Sequence, residues 1–509
     1  MGLQDFTFYD LIKRNAVIYK DKIAWFEAED NRTFTFLQYQ EMVDRLASGI
    51  RLSGLKKGDR IGVVGKNSVE YFLLFGAAAA LGAIIVPINW RLSADEMEFN
   101  LYDAGPSLLF ADQEYQHIIK GLMKRLLSVQ KFFNLKGDEG SFSSYRSLMD
   151  CNDYINPEDL SVDDSFIIIH TAAITGRPRG ALLSHGNVTC ANMQFIYLFG
   201  FTKDDVYLNA VPLFHVGGLF FAFMSFHIGA INVCMSVFEA AKALDLIHDK
   251  NISLMLVFSP MLATLLKEQE QRGVDIRSLK SMAGIESSEA IQKYQELTGG
   301  TFYSMYGQTE TSCVTTFSPH KERPGSAGRP IPLARVQLVD PYDRLVPEGK
   351  KGEITVKGPM VFKEYWNLPY ETAYTFRDGW HHTGDLGRFD EMGFLWYEGR
   401  CPEKELIKPG GENVYPGEVE KVILTHSAVD KVVVFGVPDP KWKEGIKAVC
   451  QLKEGMELDP ETLIEFVGER IARFKKPQYV EFVKNIPLNE DHSPDRVKVK
   501  KIYGGSQGN

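Results

Sequence analysis

The chain has 509 residues, of which 44% are hydrophobic and 24% charged, and its net charge is −9. That length exceeds one ordinary core and predicts about two to four domains, while the composition excludes a disordered or fibrous chain. The acidic balance argues against a nucleic-acid footprint, and six scattered cysteines (151, 190, 234, 313, 401 and 450) form neither CxxC pairs nor a Cys/His metal pattern and are expected to be reduced.

The N-terminal MGLQDFTFYDLIKRNA carries polar residues throughout, so no leader is expected and a cytoplasmic location follows by default. RIGVVG (60–65) reads as a strand. YFLLFGAAAALGAIIVPI (71–88) is long and apolar, but Asn67-Ser68 supplies a helix start, Gly82 a stop and Ile-Ile-Val a following strand, which predicts a buried helix rather than a membrane span. SADEMEFNLYDAG carries a capping box, Ser93 with Glu96, ahead of the short strand SLLFA. The βα rhythm returns at SFIIIH (165–170) and SLMLVF (253–258), predicting an α/β fold of parallel-rich sheets covered by helices, with ligands beyond the carboxyl ends of the strands. From about 330 the texture is β-rich: RVQLVD, GEITVKG and GFLWYEGR. After Arg400 comes the charged CPEKE, and then a small α+β pattern: a helix near Gly417-Glu418, the strands VDKVVVFGVPD and IKAVCQL, and the helix ETLIEFVGERIARF. The division expected is a large N-terminal domain over 1–400 with a β-rich subdomain at about 330–400, a linker at 401–405 and a C-terminal domain over 406–509.

Three stretches carry chemistry. TAAITGRPRG (171–180) follows the strand SFIIIH, with hydroxyls at Thr171 and Thr175, turning freedom at Gly176 and Gly180, and charge at Arg177 and Arg179. That is a phosphate-holding set, although not a Walker loop. MYGQTET (305–311) offers the flat ring of Tyr306 and the carboxylate of Glu310, able to hold Mg²⁺ beside phosphates. WHHTGDLG and EGR add Asp385 and Arg400, suited to ribose hydroxyls.

In this order, and together with PLFHVGG, PGSAGRP and KPGGENVYPGEVE, these stretches resemble the ANL superfamily of adenylate-forming enzymes, in its AMP-forming acyl-CoA synthetase branch. The resemblance implies a large domain that binds ATP and a carboxylic acid and a small mobile domain that swings about the linker between two half-reactions. It implies Thr171, Thr175, Gly176 and Arg179 at the phosphates; Tyr306, Gly307, Gln308, Thr309 and Glu310 at the adenylate and Mg²⁺; and Asp385 and Arg400 at the ribose. Gly284, Ile285 and Glu286 then fall at the adenine wall, and His215, Gly217 and Phe220 at the acyl pocket. Gly410 and Gly411 fall beside coenzyme A, and Glu405 at the hinge. The function implied is an acid–CoA ligase acting on a medium-size apolar monocarboxylic acid (aliphatic, alicyclic or aromatic), with ATP/AMP, Mg²⁺ and coenzyme A. The alternatives are a ligase that loads a carrier protein and a degenerate, non-catalytic binder of nucleotide or acyl adenylate.

Three departures stand out. Ala172-Ala173-Ile174 replaces the Ser-Gly-Thr usual in the phosphate loop, which implies a weak grip on pyrophosphate and a reaction able to run toward ATP. The hinge residue is Glu405 rather than Asp. The C-terminal lysine of the family aligns with Arg496, with Lys498 as the substitute.

Overall fold

The computed structural model describes residues 6–138, 140–151, 157–171, 178–401, 406–489 and 493–505. Among these residues two large sheets form. The seven-stranded sheet runs, edge to edge, through Glu364–Tyr365, Arg179–Ser184, Ser165–Thr171, Ile84–Ile88, Arg60–Val64, Leu108–Ala111 and Lys131–Asn134. The nine-stranded sheet has a parallel centre in which Leu254–Phe258, Ser281–Ile285 and Thr301–Tyr306 lie side by side. The parallel-rich expectation holds for both centres; the edges are antiparallel except at Lys131–Asn134, which pairs parallel with Leu108–Ala111.

Between the sheets lies an aromatic layer. Helix Val69–Leu81 starts where the Ser68 hydroxyl accepts the Tyr71 N–H at 3.2 Å, ends at Gly82 in the left-handed region, and is buried along its whole length. Its Phe72 stacks on Trp25 of one sheet at 4.7 Å, its Phe75 meets Phe166 of the other at 6.3 Å, and both rings contact Phe223 of helix Val216–Ile228. A helix apolar on every side requires such a surround, and removing Phe223 as Phe223→Ala would cost about 3–5 kcal/mol. No described helix is long and apolar enough to cross a membrane.

Strands Arg335–Val339, Gly352–Lys357, Trp380–Phe389 and Leu395–Arg400 belong to an antiparallel sheet, as the sequence texture implied. Beyond residue 405, helices Pro416–Ile423 and Pro460–Gly468 pack on a three-stranded sheet of Val429–Asp439, Lys443–Leu452 and Tyr479–Val483.

Two expectations need correction. Helix ETLIEFVGERIARF ends at Gly468, a poor helix former whose site is crowded by Lys476, and resumes only as a 3-10 turn at Arg473–Lys475. The strand Ser165–Thr171 does not lead through its loop to a helix. It forms an antiparallel hairpin with Arg179–Ser184, so Arg179 opens a strand and pairs with Thr171.

Candidate functional site

Parallel strands Ser281–Ile285 and Thr301–Tyr306 end at one sheet edge, which brings the two loops that follow them together. Gly284 has φ +137°, and a Cβ there would stand 1.8 Å from the Val257 carbonyl oxygen, so the wall at this point admits no side chain. A Cβ at Gly307 would stand 2.0 Å from the Cys313 carbonyl oxygen. Ile285 is half-exposed on the cavity, whereas Glu286 turns inward and accepts the N–H groups of Leu262 (3.1 Å) and Ser287 (3.2 Å); burial pushes its carboxyl above the usual range.

Asp385 and Arg400 face one another because their strands pair antiparallel in that register. The buried Asp385 accepts the Tyr306 hydroxyl at 2.8 Å and the Gln308 amide at 2.5 Å, while Arg400 Nε lies 3.5 Å from its other oxygen. Burial, and then the Asp385 charge, pushes the Tyr306 phenol well above its ordinary pKa, which keeps it a donor. Tyr306 and Tyr397 stack at 6.1 Å. Four side chains from three strands and a loop are thus wired together around one carboxylate.

Glu310 sits buried in the 3-10 turn Thr309–Thr311. One carboxylate oxygen accepts the Tyr365 hydroxyl at 2.8 Å and the Thr171 hydroxyl at 3.3 Å. The Arg179 guanidinium lies 4.1 Å over the Tyr365 ring, and its buried Nε has no hydrogen-bond partner among the described residues. An arginine buried with an orphaned donor, beside a carboxylate and a hydroxyl, fits a phosphate–metal group: Glu310, with Thr171 alongside, would hold Mg²⁺ together with ATP oxygens. Tyr365 escaped the sequence reading because only the pairing of its two-residue strand with Ala181–Leu182 brings it here. Thr175 and Gly176 lie outside the described residues, as does Glu405.

The far side of the cavity comes from beyond residue 405. The turn Pro409–Gly411 places Gly410 (φ +58°) against the Trp442 ring, 2.8 Å from where a Cβ would stand, and Gly411 (φ +89°) against Phe258. Next in sequence, the buried Glu412 accepts Arg91 at 2.6 Å and the Asn89 amide at 3.2 Å, and lies 3.2 Å from His215 Nε2. Burial would raise its pKa, but His215 and Arg91 overcome that and hold it at about 2. Nothing in the sequence signalled this network, since its members lie more than 190 residues from Glu412.

Most of these residues, Thr171 and Glu310 included, border one cavity of about 1390 Å³, lined also by Gly217, Val237 and Phe238. Three expected residues among those described fall outside its lining: Arg179, which packs over the Tyr365 ring, Phe220 and Lys498. Phe220 is fully buried one helical turn beyond Val216 and packs on Phe223 in the aromatic layer. Lys498 is largely exposed and pairs with Asp495 at 3.0 Å. Arg496 does line the cavity, with Lys500 one turn later on the same helix face, and it is held by Glu420 (2.5 Å) and the Val434 carbonyl oxygen (2.8 Å). That 3.6-residue spacing in RVKVKK was the signal for Lys500 over Lys498.

Comparison with known proteins gives the same answer over the length of the chain. The chain is 33% identical over 491 residues to a fatty acid–[acyl-carrier-protein] ligase of Streptomyces coeruleorubidus, covering 94% of this chain and 93% of that one. It is 32% identical over 480 residues to a feruloyl-CoA synthase of an Amycolatopsis species, covering 92% and 94%. The o-succinylbenzoate CoA synthetase of Bacillus subtilis is 27% identical. Its double mutant bound with the product analogue OSB-NCoA superposes with a TM-score of 0.83 (96% of this chain, 98% of that one), and its AMP complex with 0.70 (97% and 99%). Residues 12–366 match the family described as AMP-binding enzyme, and residues 418–492 its C-terminal domain. The chain therefore belongs to the AMP-binding enzymes, the adenylate-forming superfamily that its motifs resemble.

Proposed function

We propose that the protein is an AMP-forming acid–CoA ligase. The observation that carries this reading is the continuity of one cavity from the Tyr306–Asp385–Arg400 wall, past Glu310 and Thr171, to the glycine turn at 410–411. A nucleoside, a triphosphate and a thiol arm can meet there in sequence. In the first half-reaction a substrate carboxylate oxygen attacks the α-phosphorus of ATP; the bond to the β-phosphate oxygen breaks and pyrophosphate leaves. In the second, the thiolate of coenzyme A attacks the acyl carbon and AMP departs. Glu310, with Thr171 alongside, would hold Mg²⁺, which when bound would supply neutralisation of phosphate charge. Tyr306, Asp385 and Arg400 fix the nucleoside, Arg179 meets the triphosphate, and side-chain-free Gly410 and Gly411 admit the thiol arm. Catalysis on this reading is positioning and charge neutralisation.

The apolar side chains Val211, Val216, Val237, Phe238 and Ile291 in the cavity lining support an apolar monocarboxylic acid of medium size. Ala172-Ala173-Ile174 in the phosphate loop supports weak pyrophosphate retention and a reaction that runs either way. A second reading, transfer of the acyl group to a carrier protein, is favoured by the relative named as a carrier-protein ligase. The test is AMP release with ATP, a panel of carboxylic acids, and either coenzyme A or a phosphopantetheinylated carrier protein. Thioester on coenzyme A alone supports the ligase proposed; thioester on the carrier alone replaces it with the second reading; AMP release with neither acceptor removes both.

A further inference from the structure

A second buried ionic cluster joins the two parts of the chain, away from the cavity. Lys475, in the turn Arg473–Lys475, is only 6% exposed at its side chain and forms ion pairs with both Glu96 and Glu418. Glu96 is the N3 residue of helix Ala94–Ala104. Its Oε2 accepts the Ser93 N–H at 2.8 Å, closing the capping box, and the Ala472 N–H at 3.3 Å, from 376 residues away. Glu418 stands in the first turn of helix Pro416–Ile423, which begins five residues after Gly411. The ammonium thus ties the root of the glycine turn to a rigid helix end on the other side of the joint.

We propose that Lys475 is a positioning residue for thioester formation, stabilising the arrangement in which the glycine turn faces the cavity. The inference rests on the function proposed above. The charge count supports it: one buried ammonium holds two carboxylates that each keep only 16% of their side-chain surface exposed, and without it Glu96 and Glu418 would face each other without a countercharge in this arrangement. Any rotation that separates the two parts lets both carboxylates reach water. The arrangement that brings the three together also superposes better on the B. subtilis synthetase with its product analogue than on the same protein with AMP, at equal identity.

The test separates the half-reactions. Adenylate formation is followed by ATP–pyrophosphate exchange, and thioester formation by single turnover of supplied acyl adenylate with coenzyme A. Lys475→Met is expected to slow thioester formation by roughly 10-fold or more while exchange stays within about twofold. Glu96→Gln, which keeps the capping box because Gln serves at N3, is expected to move the same step in the same direction by about fivefold. Equal losses in both half-reactions, or no loss in either variant, would overturn the proposal. A readout independent of activity uses spin labels at two exposed positions, Tyr102→Cys and Met456→Cys, with the accessible native cysteines replaced. The Lys475→Met change should broaden the distance distribution, and an unchanged distribution also overturns the proposal. If the unmodified protein makes no thioester with any acid, the functional reading fails while the distance measurement still decides whether the cluster holds the joint.

Discussion

The two ends of the cavity are built on different plans. At the proposed nucleoside end, one oxygen of Asp385 takes the Tyr306 hydroxyl and the Gln308 amide, while its other oxygen, 3.5 Å from Arg400 Nε, keeps a buried acceptor without a hydrogen-bond partner among the described residues. At the phosphate end, Glu310 is fixed by Tyr365 and Thr171, but Arg179 keeps a buried donor without a partner among the described residues. The difference follows from what each end must do. A ribose presents hydroxyls that can donate to an open carboxylate oxygen, whereas a triphosphate brings negative charge that only open donors and a cation can meet.

Substitutions at the two ends test that contrast. Glu310→Gln keeps the shape and the two hydroxyl contacts but removes the charge that would hold Mg²⁺. Pyrophosphate exchange should fall by about 10³-fold, roughly 4 kcal/mol of transition-state stabilisation, with AMP affinity nearly intact. Comparable losses of AMP affinity would mean that the two ends are not separate. Arg496→Ala should slow adenylate formation by about 10²-fold and spare thioester formation. Lys498→Ala should do little, and a larger effect at 498 than at 496 would reverse the assignment made from the helix face. Asp385→Asn should act oppositely to Glu310→Gln, weakening AMP by about 10-fold or more in a binding titration because the anion at the centre of the network is gone.

The smallest effect expected is on pH dependence, at Glu412. A folded-state pKa of about 2 lies below the ordinary 4.5, so the stability gained from this carboxylate is full above about 4.5 and is lost as pH falls through about 2. Acid unfolding of Glu412→Gln should be flatter over that window, and an identical acid limb would show that the contacts with Arg91 and His215 contribute nothing to stability.

Local signals were the ones legible in the sequence. Ser68 with Gly82, and Ser93 with Glu96, mark helix ends through bonds spanning three or four residues, and the structure places them as read. What could not be read depends on partners distant in sequence. The hairpin between Ser165–Thr171 and Arg179–Ser184 competes with a strand–loop–helix reading that has the same local pattern, and only the edge strand Glu364–Tyr365 shows why the second strand is needed. The resemblance puts Phe220 at the acyl pocket with His215 and Gly217, but one further helical turn carries a side chain about 5 Å along the axis, here into the aromatic layer. Lys475 looked like one of many scattered lysines until its two carboxylates, 379 and 57 residues away, were brought to it.

Arg400 has two attachments. Its Nε approaches Asp385, while Nη1 donates to the carbonyl oxygen of Leu406, the first described residue past the junction. A single guanidinium therefore belongs both to the wall proposed for the nucleoside and to the path by which the chain leaves it. Whatever free energy a bound ribose gains from Arg400 with Leu406 in one place, and not in another, must reappear as an equal preference of the chain for that place. Nucleotide affinity and the placement of the last hundred residues are then two readings of one reciprocal quantity, exchanged through a side chain that never has to leave its strand.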